Sequence, residues 1–359
     1  MRQGRIKALQ GHAIGYYHCI SRVAHRHFLI RDPEKERFVG LMREYEEFCR
    51  VKVLDHCIMS NHFHILVAVP RRPEVLPTDE ELIQSVERLT SMGSGAGDLR
   101  QRLERYRQQG DEASAEALRE RFFSRMWDVS AFMKELKQRF TQWYNGVHDH
   151  EGTLWQGRFR SVLVEGAGNI LATMAAYIDL NSIRAKIRND PADYLWCGYA
   201  QALRGDKRAM EGLAHIVAGL LGVAVNEVKE EEVISVYRQW LYEQGEEKKG
   251  ADGKPVRPGL SPEAVALMRE ARGRVPLSDY LRHRVRYFSD AVILGTKGFV
   301  NEVFEAFRTK HQSKRRDGAR RMRGLGPEKL YVLRDLQVNV FTPSGKKPGV
   351  EPPKAEDGG

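Results

Sequence analysis

His56-Cys57-Ile58-Met59-Ser60-Asn61-His62-Phe63-His64-Ile65-Leu66-Val67-Ala68-Val69 reads as two β-strands joined by a tight turn. Side chains alternate across a strand with period two, so His62 and His64 share one face while Phe63 and Ile65 project from the other, apolar one. Paired imidazoles one pleat apart offer two nitrogen ligands to a metal ion. A His-x-His triplet also arises by chance in ordinary strands, so the reading needs support from elsewhere in the chain.

The segment Ile170-Leu171-Ala172-Thr173-Met174-Ala175-Ala176-Tyr177-Ile178-Asp179-Leu180-Asn181-Ser182-Ile183-Arg184-Ala185-Lys186-Ile187 supplies it. Its periodicity predicts a helix over 170–187, with Gly168-Asn169 as the start signal. Tyr177 and Asn181, four residues apart, stack on one helix face, where a phenol oxygen and an amide oxygen are presented together to whatever the histidines hold. The plain alternative is an amphipathic helix with a half-buried core tyrosine and a surface asparagine.

Together these residues carry a resemblance. His62-Phe63-His64 resembles the His-hydrophobic-His signature of HUH nucleases. Met59-Ser60-Asn61-His62-Phe63-His64 is similar to the Met-Pro-Asn-His-x-His form of the single-tyrosine insertion-sequence transposases and the REP-associated tyrosine transposases. Tyr17-His18-Cys19-Ile20-Ser21-Arg22 resembles the first strand of that superfamily, and Gly152-Thr153-Leu154-Trp155-Gln156-Gly157-Arg158-Phe159 its Gly-x-x-Trp-x-x-Arg-Phe segment. Tyr177 to Ala185 is similar to its Tyr-Ile-x-x-Asn-Pro-Val-Arg-Ala helix. The resemblance covers about residues 12–200. Ser60 and Ser182 each replace a usual proline, which alters local turn and helix geometry and removes no chemical group.

The resemblance implies a metal-dependent single-strand DNA endonuclease and strand transferase, that is, a transposase. Tyr177 is then the nucleophile, forming a covalent 5′-phosphotyrosine that stores the bond energy for later joining. His62, His64 and Asn181 are the metal ligands it implies, and a divalent ion offsets the charge developing on the scissile phosphate. Two imidazoles, one amide and substrate oxygens are compatible with Mg²⁺ or Mn²⁺. The implied partner is single-stranded or hairpin DNA. A homodimer is one assembly the superfamily uses and a monomer the other.

Competing readings are weaker. Cys19, Cys49, Cys57 and Cys197 form no Cys-x-x-Cys pair, which argues against structural zinc and for reduced core thiols in a cytoplasmic protein. The His-x-Glu and Pro-Cys-x-x-Cys signature of a nucleobase deaminase is missing. Tyr144, the rival nucleophile, lies in a helical pattern with Phe132, Leu136 and Phe140 that packing explains. A domesticated relative that binds hairpin DNA without cutting it, or a repressor, is the alternative from another class. A replication initiator or relaxase shares the chemistry but orders its motifs differently.

Charge agrees with a polyanionic partner: the 359 residues carry a formal net charge of +10. Lys310, Lys314, Arg315, Arg316, Arg320, Arg321 and Arg323 fall in one stretch opposed only by Asp317. Arg315, Arg316, Arg320 and Arg321 are read there as a grip on DNA phosphates. Trp155, Arg158 and Arg160 offer an aromatic and basic mixture suited to a single strand, although Trp155 and Phe159, four apart, also suit a core. No run approaches the ~20 apolar residues of a membrane span, and the basic N-terminus precedes no apolar signal region, so the expectation is no membrane and a cytoplasmic protein.

Patterning predicts a strand over 13–23, a helix over 33–50, strands over 51–59 and 62–69, helices through 78–149, a strand near 159–165 and then the Tyr177 helix. This is an α+β arrangement. The resemblance makes it a ferredoxin-like antiparallel sheet with packed helices, the HUH core, followed by a mainly helical C-terminal extension. Residues 1–206 are expected to form the catalytic domain, with a helical insertion at about 71–130 rich in Glu, Arg, Gln and Ala. Residues 207–260 read as a helical segment and polar linker, and 261–342 as a helical region with helices near 262–272, 276–287 and 297–312, compatible with a DNA-reading helix-turn-helix. The tail 343–359, rich in Gly, Pro, Lys and Glu, is expected to be disordered.

Overall fold

The computed structural model describes residues 5–89, 95–245, 248–249, 255–257, 286–308, 317–322 and 330–334. Strand β1 (Ile14–Arg22) leads through helix α1 (Asp32–Phe48) to the hairpin of β2 (Lys52–Ile58) and β3 (His62–Pro70). Helices α2 (Asp79–Glu87), α3 (Gly95–Gln109), α4 (Glu112–Phe123) and α5 (Val129–His148) precede β4 (Arg160–Val164). The four strands lie in the order β2-β3-β1-β4 with every neighbouring pair antiparallel. With α1 and α5 packed together on one face, this is the βαββαβ ferredoxin-like topology.

Alternation assigns each strand two jobs. Phe63, Ile65 and Val67 of β3, Tyr17 and Cys19 of β1 and Leu163 of β4 face α1, α5 and the inserted helices in one apolar core. Phe38 of α1 meets Phe63 at 4.7 Å and Phe140 of α5 at 5.1 Å between ring centroids. Leu66 and Ala68, Val162 and Val164, and Leu54 and Cys57 face the opposite way into a second core. The inserted segment is helical, as its composition predicts, and α2 begins with a capping box in which Thr78 and Glu81 satisfy each other's backbone N–H.

The second face is covered by α6 (Ile170–Asp179), α8 (Gly198–Leu203), α9 (Lys207–Leu221) and α10 (Glu230–Gly245). Gly212 allows α9 to lie directly on β2, because a Cβ there would come within 2.4 Å of the Leu54 carbonyl. The helix predicted over 170–187 is divided. It ends at Leu180 and resumes as the single turn α7 (Asn181–Arg184). The Asn181 amide causes the break by donating to the Tyr177 and Ile178 carbonyls at 3.2 and 2.9 Å, satisfying acceptors that a continuing helix would use.

Beyond residue 206, α9, α10 and described residues between 288 and 333 pack onto these same two cores. Among the described residues, β5 (Lys248–Lys249) and β6 (Pro255–Arg257) pair only with each other. After α11 (Arg286–Asp290), β7 (Ile293–Gly295) adds parallel to β4. Helix α12 (Lys297–Arg308) follows, and β8 (Arg320–Arg321) and β9 (Tyr331–Leu333) complete a seven-stranded sheet, so the C-terminal extension contributes three short strands beside its helices. The helix predicted near 262–272, that predicted near 276–287 apart from its last two residues, and the tail 343–359 lie outside the described residues. Among the described residues no helix is long and apolar enough to cross a membrane.

Candidate active site

His62 and His64 emerge from the start of β3 on the second face, their rings 5.1 Å apart. Antiparallel pairing sets Ile20 opposite His64 and Arg22 opposite His62, which brings His18, one pleat away on β1, diagonally beside His64. The Tyr177 ring, delivered by α6, lies 5.8 Å from both His18 and His64 and meets each edge-on. Sequence elements more than a hundred residues apart thus converge, an arrangement that the resemblance implies and local spacing does not.

Both candidate metal-ligating histidines have one nitrogen committed to the protein. Asn61 Nδ2 donates to the Arg26 carbonyl, so its Oδ1 accepts from His62 Nδ1–H at 2.6 Å. His64 Nδ1 lies 2.8 Å from His18 Nε2, and His18 Nδ1 lies 3.0 Å from the Phe288 carbonyl. In each ligand Nε2 is the nitrogen left to present a lone pair. Burial, with Arg22 and then Arg184 nearby, lowers the His62 pKa to about 4, and burial with the neighbouring rings lowers that of His64 far below the ordinary histidine value. The imidazoles are therefore neutral at pH 7, as metal ligation requires. Asn181 donates through Nδ2 to helix carbonyls, which leaves Oδ1 as its acceptor. Among the described residues no three His, Cys, Asp or Glu side chains are grouped to hold a metal. The candidate donor set is two imidazoles and an amide, which fits a hard divalent ion completed by substrate and water oxygens.

Tyr177 is 2 % exposed. Phe288 of α11 stacks on its ring at 4.8 Å and 16°. Burial raises the phenol pKa, while Arg184, whose guanidinium carbon sits 4.3 Å over the ring centre, and a hydrogen bond with Ser289 lower it. Arg184 also donates to the Tyr177 carbonyl, and its Nη1 is shielded from solvent with no hydrogen-bonding partner among the described residues. A guanidinium so placed suits an anion beside the phenol. Motif reading overlooked the functional placement of Arg184 and His18. Arg184 follows Tyr177 by seven residues, two helical turns, a spacing that could have revealed it.

A cavity of about 350 Å³ opens beside this centre, lined by Ile20–Arg22, Arg26, Gln156–Arg158, Arg160, Ser289 and Asp290. Ser289 thus touches both the phenol and the cavity. Arg158 and Arg160 are exposed, as predicted for phosphate contacts, but Arg160 pairs with Asp290 at 3.1 Å. Trp155 is 5 % exposed, packed against Phe63 and Phe140, and its indole N–H donates to the Lys137 carbonyl at 3.2 Å. The core role explains Trp155, and its ring is not presented to a base. Tyr144 likewise packs in the first core. Arg320 and Arg321 are exposed on β8, with Asp317 3.5 Å from Arg320, whereas Arg315 and Arg316 lie outside the described residues. All four cysteines are buried free thiols.

Residues 13–92 match the family described as "Transposase IS200 like". The matched stretch spans β1 to β3 and includes the His62-Phe63-His64 motif. Among solved structures, the chain is similar to a REP-associated tyrosine transposase bound to a REP hairpin, with 11 % identity, coverage of 57 % of this chain and 85 % of that one, and a TM-score of 0.35. It is also similar to a protein described as a transposase from Deinococcus radiodurans, with 13 % identity, coverage of 52 % and 92 %, and a TM-score of 0.25. No curated protein matches the chain.

Proposed function

We propose that this protein cuts and rejoins single-stranded DNA folded into a hairpin, through a 5′-phosphotyrosine on Tyr177. The observation that supports this most is the convergence on one sheet face of the Tyr177 phenol, two neutral histidines with oriented Nε2 atoms, and Arg184 over the phenol ring. The phenol oxygen attacks the scissile phosphorus and gives up its proton, the 3′-oxygen leaves, and the 5′-phosphate stays joined to Tyr177. A 3′-hydroxyl reverses the step on the same or another strand. His62, His64 and Asn181 would hold Mg²⁺ or Mn²⁺, which when bound polarises a phosphate oxygen. Arg184 offsets negative charge on the phenol and phosphate. The DNA backbone runs through the arginine-lined cavity, past Arg158 and Arg160, and Arg320 and Arg321, exposed on the edge strand β8, offer separate phosphate contacts. Such a protein works in the cytoplasm.

The burial of Tyr177 under Phe288 favours a second reading, a hairpin-binding protein or repressor that no longer cuts. One experiment separates the two. Labelled hairpin DNA is incubated with Mn²⁺ and run on a denaturing gel. A covalent protein–DNA band that vanishes in EDTA and in Tyr177→Phe supports the transposase. Retention of the hairpin on a native gel, without any covalent band, supports the non-cutting relative.

A further inference from the structure

The metal-site histidines receive unequal help from the rest of the chain. Asn61, the immediate neighbour of His62, fixes that ring locally. His64 is fixed through His18, and His18 through a main-chain carbonyl 270 residues further along the sequence. We propose that His18 is a positioning residue which, anchored by the Phe288 carbonyl of α11, holds His64 in the one tautomer able to bind metal. The metal-binding role of His64 in this proposal rests on the function proposed above.

The hydrogen bonds determine the tautomers in sequence. A carbonyl oxygen only accepts, so His18 Nδ1, 3.0 Å from Phe288 O, carries a proton. His18 is fully buried on β1, and among the described residues no carboxylate pairs with it, so the ring is neutral and Nε2 holds a lone pair. That lone pair faces His64 Nδ1 at 2.8 Å, which must therefore donate. The two ring planes lie within 17° of parallel with centroids 5.1 Å apart, and His64 Nδ1 meets His18 Nε2 at 2.8 Å. His64 is left with its lone pair on Nε2. Reversal of any member would place a proton on His64 Nε2 and remove the ligand. By this route the C-terminal extension becomes part of the construction of the metal site, beyond covering Tyr177.

The test uses full-length protein with ¹⁵N-labelled histidine. Long-range ¹H–¹⁵N correlation spectra of the metal-free wild type should show His64 protonated at Nδ1, and His18→Leu should lose that signature. Mn²⁺ affinity, read by electron paramagnetic resonance, should fall about 10- to 100-fold in His18→Leu. In His18→Gln, whose amide can accept from His64 and donate to Phe288, it should stay near wild type. A wild-type His64 protonated at Nε2 overturns the proposal, as does a folded His18→Leu that binds Mn²⁺ like wild type. If His18→Leu does not fold, the wild-type spectrum and the Gln variant decide. Wild-type protein with the expected tautomer but no Mn²⁺ binding would overturn the ligand assignment, and with it the positioning role, while leaving the hydrogen-bond chain intact.

Discussion

The two faces of β3 are made by one strand and do opposite things. Phe63, Ile65 and Val67 enter a core whose strand-borne contacts are almost wholly apolar, whereas His62 and His64 open onto a face that also buries His18, Asp55, Asp179 and Asn181. On that second face Asp179 accepts from Tyr237 Oη at 2.7 Å and from the Tyr199 N–H at 3.3 Å. Among the described residues Asp55 Oδ2 has no hydrogen-bond partner, and burial raises both carboxyls, so the pair retains one proton between them. The first face shows what holds the sheet together. The second shows what it was built to present, because buried polar groups persist only where hydrogen bonds, metals or substrates satisfy them.

The sharpest contrast is between two tyrosines. Tyr177→Phe should lower covalent DNA adduct formation by about 10³-fold or more, since the nucleophilic oxygen is gone, whereas Tyr144→Phe should leave the adduct near wild type. Loss of the adduct in Tyr144→Phe alone would move the nucleophile to the first face and break the contrast. On β3 itself, Phe63→Ala should destabilise the protein by about 3–5 kcal/mol, measured by denaturant unfolding, through the cavity left among Phe38, Phe140 and Trp155. His64→Ala should destabilise by only about 1–3 kcal/mol, from the acceptor left on His18, yet abolish metal-dependent cleavage.

The Asp55–Asp179 pair gives a pH signature. Burial pushes Asp179 up to about 7 and Asp55 well above the usual carboxylate range. Folded-state values raised above the unfolded ones contribute stability that is present at low pH and lost as pH rises through the folded values. His18 and His62, both lowered to about 4 chiefly by burial, act the other way, with stability lost as pH falls from the ordinary histidine range towards 4. Asp55→Asn places a permanent donor where the shared proton sits. Relative to wild type, its melting temperature should therefore gain as pH rises from about 4 to 7, and parallel profiles would sink the shared-proton account. The smallest effect concerns DNA. Arg158→Ala should flatten the salt dependence of single-strand binding by about 0.7 log unit per log unit of salt. Arg160→Ala should do less, because Asp290 already compensates its charge.

Much of this was legible before folding. β1, α1, β2, β3 and β4 fall within a few residues of their predicted positions because period-two and helical patterns record which face each side chain buries. The Tyr177 helix was legible as a helix but not as a broken one, since the asparagine read as a ligand also caps the turn that ends α6. Trp155 shows the limit of composition. An aromatic among arginines has the same sequence signature whether it stacks on a base or fills a core, and only its neighbours Phe63 and Phe140 decide.

The sequence alone determined that His62 and His64 share a face, because a strand's pleat dictates it, and that Tyr177 and Asn181 lie four apart in a helical stretch, which the structure divides between α6 and α7. It also determined the order in which these motifs occur. Tertiary structure decided that the histidine face and Tyr177 meet, that His18 joins them across the β1–β3 register, and that Phe288 both covers the phenol and anchors His18. The reason is range. Pleat and helical pitch act over a few residues and are written in local spacing, whereas the His18–Phe288 hydrogen bond joins two points distant in sequence that only packing onto one sheet can bring within 3.0 Å.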